Sequence, residues 1–297
     1  MSRLGRDIAG VINGIVASVS YGTNPLFALP LYSMGVKTDS VLFYRYAFAV
    51  IIYGVWLKCF KKISLNISIK ELFPIIVLGI LFSLSSLTLF ESFRYIDVGV
   101  ACTILFIYPI IVAILMAIFF KEKLTKTVLS AIGLTSIGIM LLYNGKPNSS
   151  LNLYGVMIVL VSALMYALYI VGVNNIKVIK RVNRAKMSLY VILSGMLVYV
   201  YNLKFCTELQ ILDSPFAWLL VVCLALFPTI ISIETINIAI KFIGSTKTAI
   251  LGALEPLTAI FFGVLLFHEQ LTFRIICGVL LILFGVLLII TRKTQRG

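Results

Sequence analysis

The sequence predicts an all-α membrane protein of ten transmembrane helices, arranged as two inverted five-helix repeats. Three observations predict it. Of 297 residues, 61% are hydrophobic and only 12% charged, with a mean hydropathy of +1.10; a water-soluble domain carries about a quarter charged residues. Apolar runs follow one another along the chain, most of them near the ~20 residues that a helix needs to cross the hydrocarbon core. And the chain matches itself when Tyr108 is laid on Glu255.

Each span is an apolar run between charged breaks. The first, 8–29, follows the short basic leader MSRLGRD, which lacks a small-residue cleavage site and so reads as the start of an uncleaved helix. The second, 40–57, lies between Lys37 and Lys58, and the third, 72–92, between Lys70 and Arg94. The fourth, 98–120, stops at Lys121, and the fifth, 126–144, before Lys146. The sixth, 153–173, ends before Lys177; the seventh, 186–203, runs from Lys186 to Lys204. The eighth, 215–238, precedes Lys241, the ninth, 246–267, opens at Lys247, and the tenth, 273–291, closes before Arg292. With the N-terminus placed in the cytoplasm, inside segments hold 19 of the 25 Lys and Arg and outside segments 5, with Arg45 inside the second span. That bias expects both termini in the cytoplasm.

The same placement disposes of another reading of the +14 net charge. A nucleic-acid groove interleaves basic and aromatic residues, whereas here the basic residues sit in short runs between apolar segments. Five cysteines without CxxC or metal spacing read as free thiols. A single histidine, His268, builds no histidine metal site, and no GxxxxGK[ST] loop is present to bind ATP phosphates. No cofactor and no metal are expected.

The self-match sets "YPIIVAILMAIFFKEKLT" (108–125) on "EPLTAIFFGVLLFHEQLT" (255–272) without a gap. Pro109/Pro256, Phe120/Phe267, Glu122/Glu269, Leu124/Leu271, Thr125/Thr272 and Gly138/Gly285 coincide, and two positions out of that register Gly10 and Tyr21 meet Gly155 and Tyr166. The expected units are 1–145 and 151–294. An odd number of spans in each makes the second unit insert upside down, and inverted repeats with a site near the midplane are a recurring plan of secondary transporters.

On these residues the chain resembles an EamA-type member of the drug/metabolite transporter superfamily: "LEP" at 254–256, the paired endings with KEKLT and HEQLT, and the glycine-bearing helix after each. The resemblance covers nearly the whole chain. It implies a ten-helix bundle that transports small metabolites, often outward. Tyr108 stands where the second unit has Glu255, so a carboxylate role does not carry to both units.

Glu255 is the residue most in need of a reason, because a carboxylate within a span is costly and proline removes a helical hydrogen bond. It reads as a site for a substrate amine or as a proton-exchanging carboxyl; the alternative is a protonated side chain bonded to a neighbouring helix. Pro256 is expected to kink the ninth span and free the carbonyl of Gly252, and Pro109 to do the same in the fourth. Tyr108, Tyr21, Asn24 and Tyr166 are expected to line a cavity with Glu255, and Pro25 to break the first span, with ordinary small-residue packing as the alternative. Glu234 and Asn237, one turn apart in the eighth span, read as a polar stripe or as an interfacial pair with Lys241 or Lys247. Arg45 and Glu91 are expected to form a structural ion pair between the second and third spans, with snorkelling of Arg45 as the alternative. Glu122 and Glu269 read as structural, beside Thr125 and Thr272 that cap the next helices.

The expected function is a secondary carrier, an exporter of a small polar metabolite such as an amino acid, working by alternating access with proton coupling through Glu255 as a further hypothesis. Few charges inside spans favour zwitterionic, cationic or weakly polar solutes over multiply phosphorylated anions. A membrane-embedded enzyme acting on a lipid or isoprenoid is the alternative, and needs clustered acids or metal ligands. Expected partners are the small-molecule substrate and the lipid bilayer of the cell membrane, with no nucleic acid, in a monomer or homodimer.

Overall fold

A computed structural model describes residues 3–92, 94–96, 98–142, 152–267 and 272–291. Each expected span is met by helix, and no strand occurs among the described residues. The first span is two helices, Arg3–Gly22 and Asn24–Ser33; the second is Thr38–Val55, continued by a wider π turn at Trp56–Phe60. The third is Ile69–Ser92 and the fifth Lys126–Leu142. The sixth and seventh are Leu153–Asn175 and Arg184–Asn202, and the tenth is Phe273–Thr291. The fourth is broken into Val98–Leu105 and Tyr108–Phe120, and the ninth into Ser245–Leu251 and Leu254–Phe267. The eighth is Pro215–Ala225 and Ser232–Ile243 joined by a π turn at Leu226–Ile231.

Local chemistry sets several of these ends. The Asn152 side chain accepts from the amides of Tyr154 and Gly155, and that of Asn183 from Ala185 and Lys186, so each starts its helix as an N-cap. Ser214 caps the eighth span, with Pro215 in the first turn where its missing N–H costs nothing. The eighth span runs past its expected end to Ile243 and turns into the ninth over the single residue Gly244 (φ +82°, ψ 171°), a conformation open to glycine almost alone.

The two breaks answer to each other across the repeat. Pro109 lies in the first turn of the second half of the fourth span, and Pro256 does so in the ninth. One expectation is corrected here: the Gly252 carbonyl is not left free, because the chain tightens to a three-residue turn that brings the Glu255 amide to it at 2.9 Å.

Close approaches between helices repeat in the same register, which shows that the two units are related by a pseudo-two-fold. A Cβ on Gly10 would lie 2.6 Å from Ile243 and 2.8 Å from Phe242; on Gly155 it would lie 2.8 Å from Tyr95 and 2.9 Å from Ile96, their counterparts in the other unit. A Cβ on Gly138 would meet Ile282 and the Gly278 carbonyl at 2.7 and 2.8 Å, and one on Gly285 would meet Thr135 and the Ala131 carbonyl at 2.8 and 3.0 Å. Gly138 near Gly278, and Gly285 near Ala131, make the fifth and tenth spans antiparallel; the first span likewise packs on the eighth and ninth as the sixth packs on the third and fourth. Small residues let such backbones approach closely.

The exterior is apolar, with Ile51, Ile118, Phe119, Met140 and Leu280 all exposed, while Tyr46, Tyr53, Tyr108, Tyr169 and Tyr199 and serines such as Ser40, Ser83 and Ser162 are buried. That reversal suits hydrocarbon outside and polar contacts within. Gly278→Ala puts a methyl 2.7 Å from the Gly138 carbonyl, whereas Gly133 on the same helix pair has open space. Gly278→Ala is therefore expected to cost about 1–3 kcal/mol by overpacking and Gly133→Ala to be neutral or better; thermal unfolding in detergent compares them.

Candidate functional site

The two broken helices meet at the centre of the bundle. Tyr108, 1% exposed, opens the second half of the fourth span and donates its hydroxyl to the Ala249 carbonyl of the ninth at 3.1 Å. In an unbroken helix that carbonyl would take the amide of Ala253, which here turns back to Ile250 instead. Tyr108 thus supplies a partner that the break removed. Its ring is held edge-on by Phe106 and Tyr166, centroids 5.2 and 4.8 Å away, and Tyr166 in turn lies against Phe82 and parallel to Tyr169.

Glu255 follows directly after the break in the ninth span. Its backbone carbonyl faces Gly22 at the break of the first span, where a Cβ would stand 2.6 Å away. The side chain is half-buried, within electrostatic reach of the hydroxyls of Tyr21, Tyr108 and Tyr166 and of the Cys102 thiol. Among the described residues its carboxylate forms no hydrogen bond and no ion pair. The alternative of a glutamate bonded to a neighbouring helix is therefore not what the structure shows. Tyr21 and Tyr166 are half-buried beside it. Asn24 begins the second half of the first span and Pro25 stands on its exposed side, with the break falling at Thr23 between them and Gly22.

The EamA-like transporter family model matches the chain twice, over residues 8–144 and 153–291. The chain belongs to that family. A crystal structure of another protein, 17% identical, superposes with a TM-score of 0.78 over 94% of this chain and 95% of its own, a likeness of fold. None of the curated proteins compared matches the chain.

In this EamA-like chain the remaining expected residues are distributed unevenly about the centre. Asn237 is fully buried and doubly engaged: its Oδ1 accepts from the Tyr169 hydroxyl at 2.9 Å and its Nδ2 donates to Ser188 Oγ at 3.0 Å. That joins the sixth, seventh and eighth spans. Glu234, half-buried one turn before it, lies beside the Tyr53 hydroxyl without closing a well-formed hydrogen bond.

The Arg45–Glu91 pair does not form. Glu91 is bonded instead to Arg94 at 3.3 Å on the exposed edge. Arg45, also 1% exposed, donates from Nε to Thr229 Oγ1 at 2.5 Å and from Nη2 to the Pro228 carbonyl at 2.8 Å. The second span packs chiefly on the seventh and eighth, out of reach of Glu91, and the π turn around Pro228 turns a carbonyl toward it. Ser20 of the first span bonds the adjacent Phe227 carbonyl at 2.5 Å. Pro228 is the sequence feature that could have flagged this irregular stretch.

Glu122 accepts from Thr246 Oγ1 at 3.1 Å, which ties the fourth span to the start of the ninth. Thr272 caps the tenth span by accepting from the Ile275 amide, but the Thr125 hydroxyl is buried without a partner among the described residues and caps nothing there. Glu269 and His268 lie outside the described residues. All five cysteines are free.

Proposed function

We propose that this EamA-like transporter is a secondary carrier that exports a small polar metabolite bearing an ammonium group, in exchange for protons taken up at Glu255. The single observation that supports it most is the Glu255 carboxylate itself, which stands at the junction of the broken spans without a protein partner among the described residues. An ionisable group in a span that is not spent on structure marks a substrate or proton pathway.

One carboxylate that takes either a proton or an ammonium makes the two compete. Competition for one site, alternately open to each side, exchanges one for the other, so an inward proton gradient drives the metabolite out. The moving parts are the second halves of the fourth and ninth spans, hinged at their breaks and rocking about the pseudo-two-fold, which is how inverted-repeat carriers alternate access. The distribution of Lys and Arg supports both termini in the cytoplasm.

The test is thermal stabilisation of the purified protein across a panel of amino acids and amines. A ligand at about 100 times its Kd adds about 2.7 kcal/mol to the folded state, a rise of several degrees. Glu255→Gln is expected to cut the shifts of every ammonium-bearing hit to about half or less; unchanged shifts would remove Glu255 from the site.

A further inference from the structure

The carrier reading uses Glu255 and leaves the most deeply buried charged side chain among the described residues without a function. Arg45 sits inside the second span, 1% exposed, held by Thr229 Oγ1 and the Pro228 carbonyl. Its Cζ lies 5.7 Å from the centroid of the Tyr21 ring and 5.9 Å from that of Tyr46. A guanidinium has five N–H donors and keeps its proton at any ordinary pH. Two of the donors are engaged, and among the described residues no carboxylate reaches the group. Carbonyls and aromatic faces soften a buried cation but carry no opposite charge to neutralise it.

The second observation is where its neighbour Tyr21 leads. Tyr21 precedes Gly22, which packs on the backbone of Glu255 and on Thr258. The phenol of Tyr21 feels both the Arg45 guanidinium and the Glu255 carboxylate, yet those two form no ion pair with each other. A cation over the Tyr21 ring and a carboxyl on the residue whose backbone packs on the adjacent Gly22 therefore lie near one half-buried tyrosine, on three helices of which two are broken next to them.

We propose that Arg45 is the anion-binding pole of the transport site: it takes the carboxylate of a zwitterionic substrate while Glu255 takes the ammonium, with the Tyr21 ring as the wall between them. The substrate class is the amino acids and close analogues carrying both groups. This rests on the carrier reading at Glu255 and adds to it. Charge balances without a further ion. Empty, the site holds protonated Glu255 and cationic Arg45, one net positive charge. A zwitterion of zero net charge enters, Glu255 gives up its proton, and the loaded site is neutral with one proton released. A bare amine would leave Arg45 uncompensated and a bare carboxylic acid would leave the ammonium position empty, so each binds more weakly than the solute that carries both.

The experiment measures thermal stabilisation of the full-length protein by matched trios, such as leucine, isoamylamine and 4-methylpentanoate, or phenylalanine, phenethylamine and 3-phenylpropanoate, extended to the other standard amino acids. In wild type, amino acids are expected to bind at least ~10-fold more tightly than either relative. Arg45→Gln is expected to remove that advantage while leaving amine affinity within about two-fold, and Arg45→Lys to keep part of it, since charge survives but the guanidinium fork does not. Equal wild-type binding of amino acid and amine, binding of amines alone, or no binding by any trio would overturn the proposal, and these need no variant to fold. So would loss of amines and amino acids alike in Arg45→Gln, which marks a purely structural arginine. Failure of the carrier reading shows differently, as ligand shifts indifferent to Glu255→Gln.

Discussion

Glu255→Gln is expected to end transport driven by a pH gradient while leaving the protein folded. In proteoliposomes the wild type should accumulate or expel substrate according to the direction of an imposed gradient, and the variant should ignore it. Glutamine keeps the shape of the side chain but neither binds nor releases a proton. It also replaces a charged acceptor by a neutral one, and a hydrogen bond to a charged group contributes about 1.5–3 kcal/mol, which raises the substrate Kd by about 10- to 100-fold. Stability should hardly change, because the carboxylate has no hydrogen bond or ion pair to lose among the described residues. The pH dependence has a definite sign. Only the ionised carboxyl pairs with an ammonium, so wild-type affinity falls as pH falls through the titration of Glu255, by at most tenfold per pH unit for one proton exchanged, and the variant's affinity is flat. An unaltered gradient response in the variant would show that protons travel elsewhere.

How much of this was legible in the sequence depends on which physical rule each feature obeys. Span positions follow from hydrocarbon thickness and the cost of charge in it, both properties of a stretch of chain alone, and the ten runs were readable. The breaks in the fourth and ninth spans were readable for the same reason, since Pro109 and Pro256 forbid a hydrogen bond wherever the helix sits. What the sequence does not hold is azimuth. Pairing Arg45 with Glu91 assumed that consecutive antiparallel spans are neighbours, the ordinary expectation for short connections. The pseudo-two-fold defeats it by interleaving the units: the first span packs on the eighth and ninth, the sixth on the third and fourth, and the second finds its partners in the seventh and eighth. Arg45 consequently meets a π turn from the other half. Pro228 could have flagged an irregular eighth span, but not that the irregularity would aim a carbonyl at an arginine. The Tyr169–Asn237–Ser188 chain was hidden likewise, since Asn237 was placed by its spacing from Glu234 while its partners come from two other helices.

Tyr108 and Gly252 are expected to behave as one unit under mutation, because they compete for the same volume at the seam between the two repeats. Gly252 has ordinary right-handed helical angles (φ −55°, ψ −20°), so its backbone would accept alanine. Space forbids it: a Cβ there would fall 1.7 Å from the Tyr108 hydroxyl oxygen and 3.0 Å from the Ala249 carbonyl. The tyrosine cannot swing aside easily, wedged as it is between Phe106 and Tyr166. Gly252→Ala should therefore cost about 1–3 kcal/mol or more, the usual range for overpacking a full site. Tyr108→Phe removes the hydroxyl and its bond, but the Ala249 carbonyl keeps the Gly252 amide at 3.2 Å, so the loss should be nearer 1 kcal/mol. Together the two changes should cost clearly less than their sum. With the hydroxyl gone the nearest ring atom is 3.1 Å from the new methyl, a gap that a shift of a few tenths of an ångström opens. A coupling of about 1–2 kcal/mol is expected, within the range for residues in contact. Melting temperatures of the wild type, both single variants and the double variant measure it, and strict additivity would mean that the two side chains do not share the space assigned to them. The same cycle run on transport carries the argument to function. The Tyr108–Ala249 bond ties the half of the fourth span proposed to move to the first half of the ninth, next to the ninth span's hinge, so each single variant should shift the balance between the two open states of the carrier, and the double variant should restore much of the transport rate that Gly252→Ala removes.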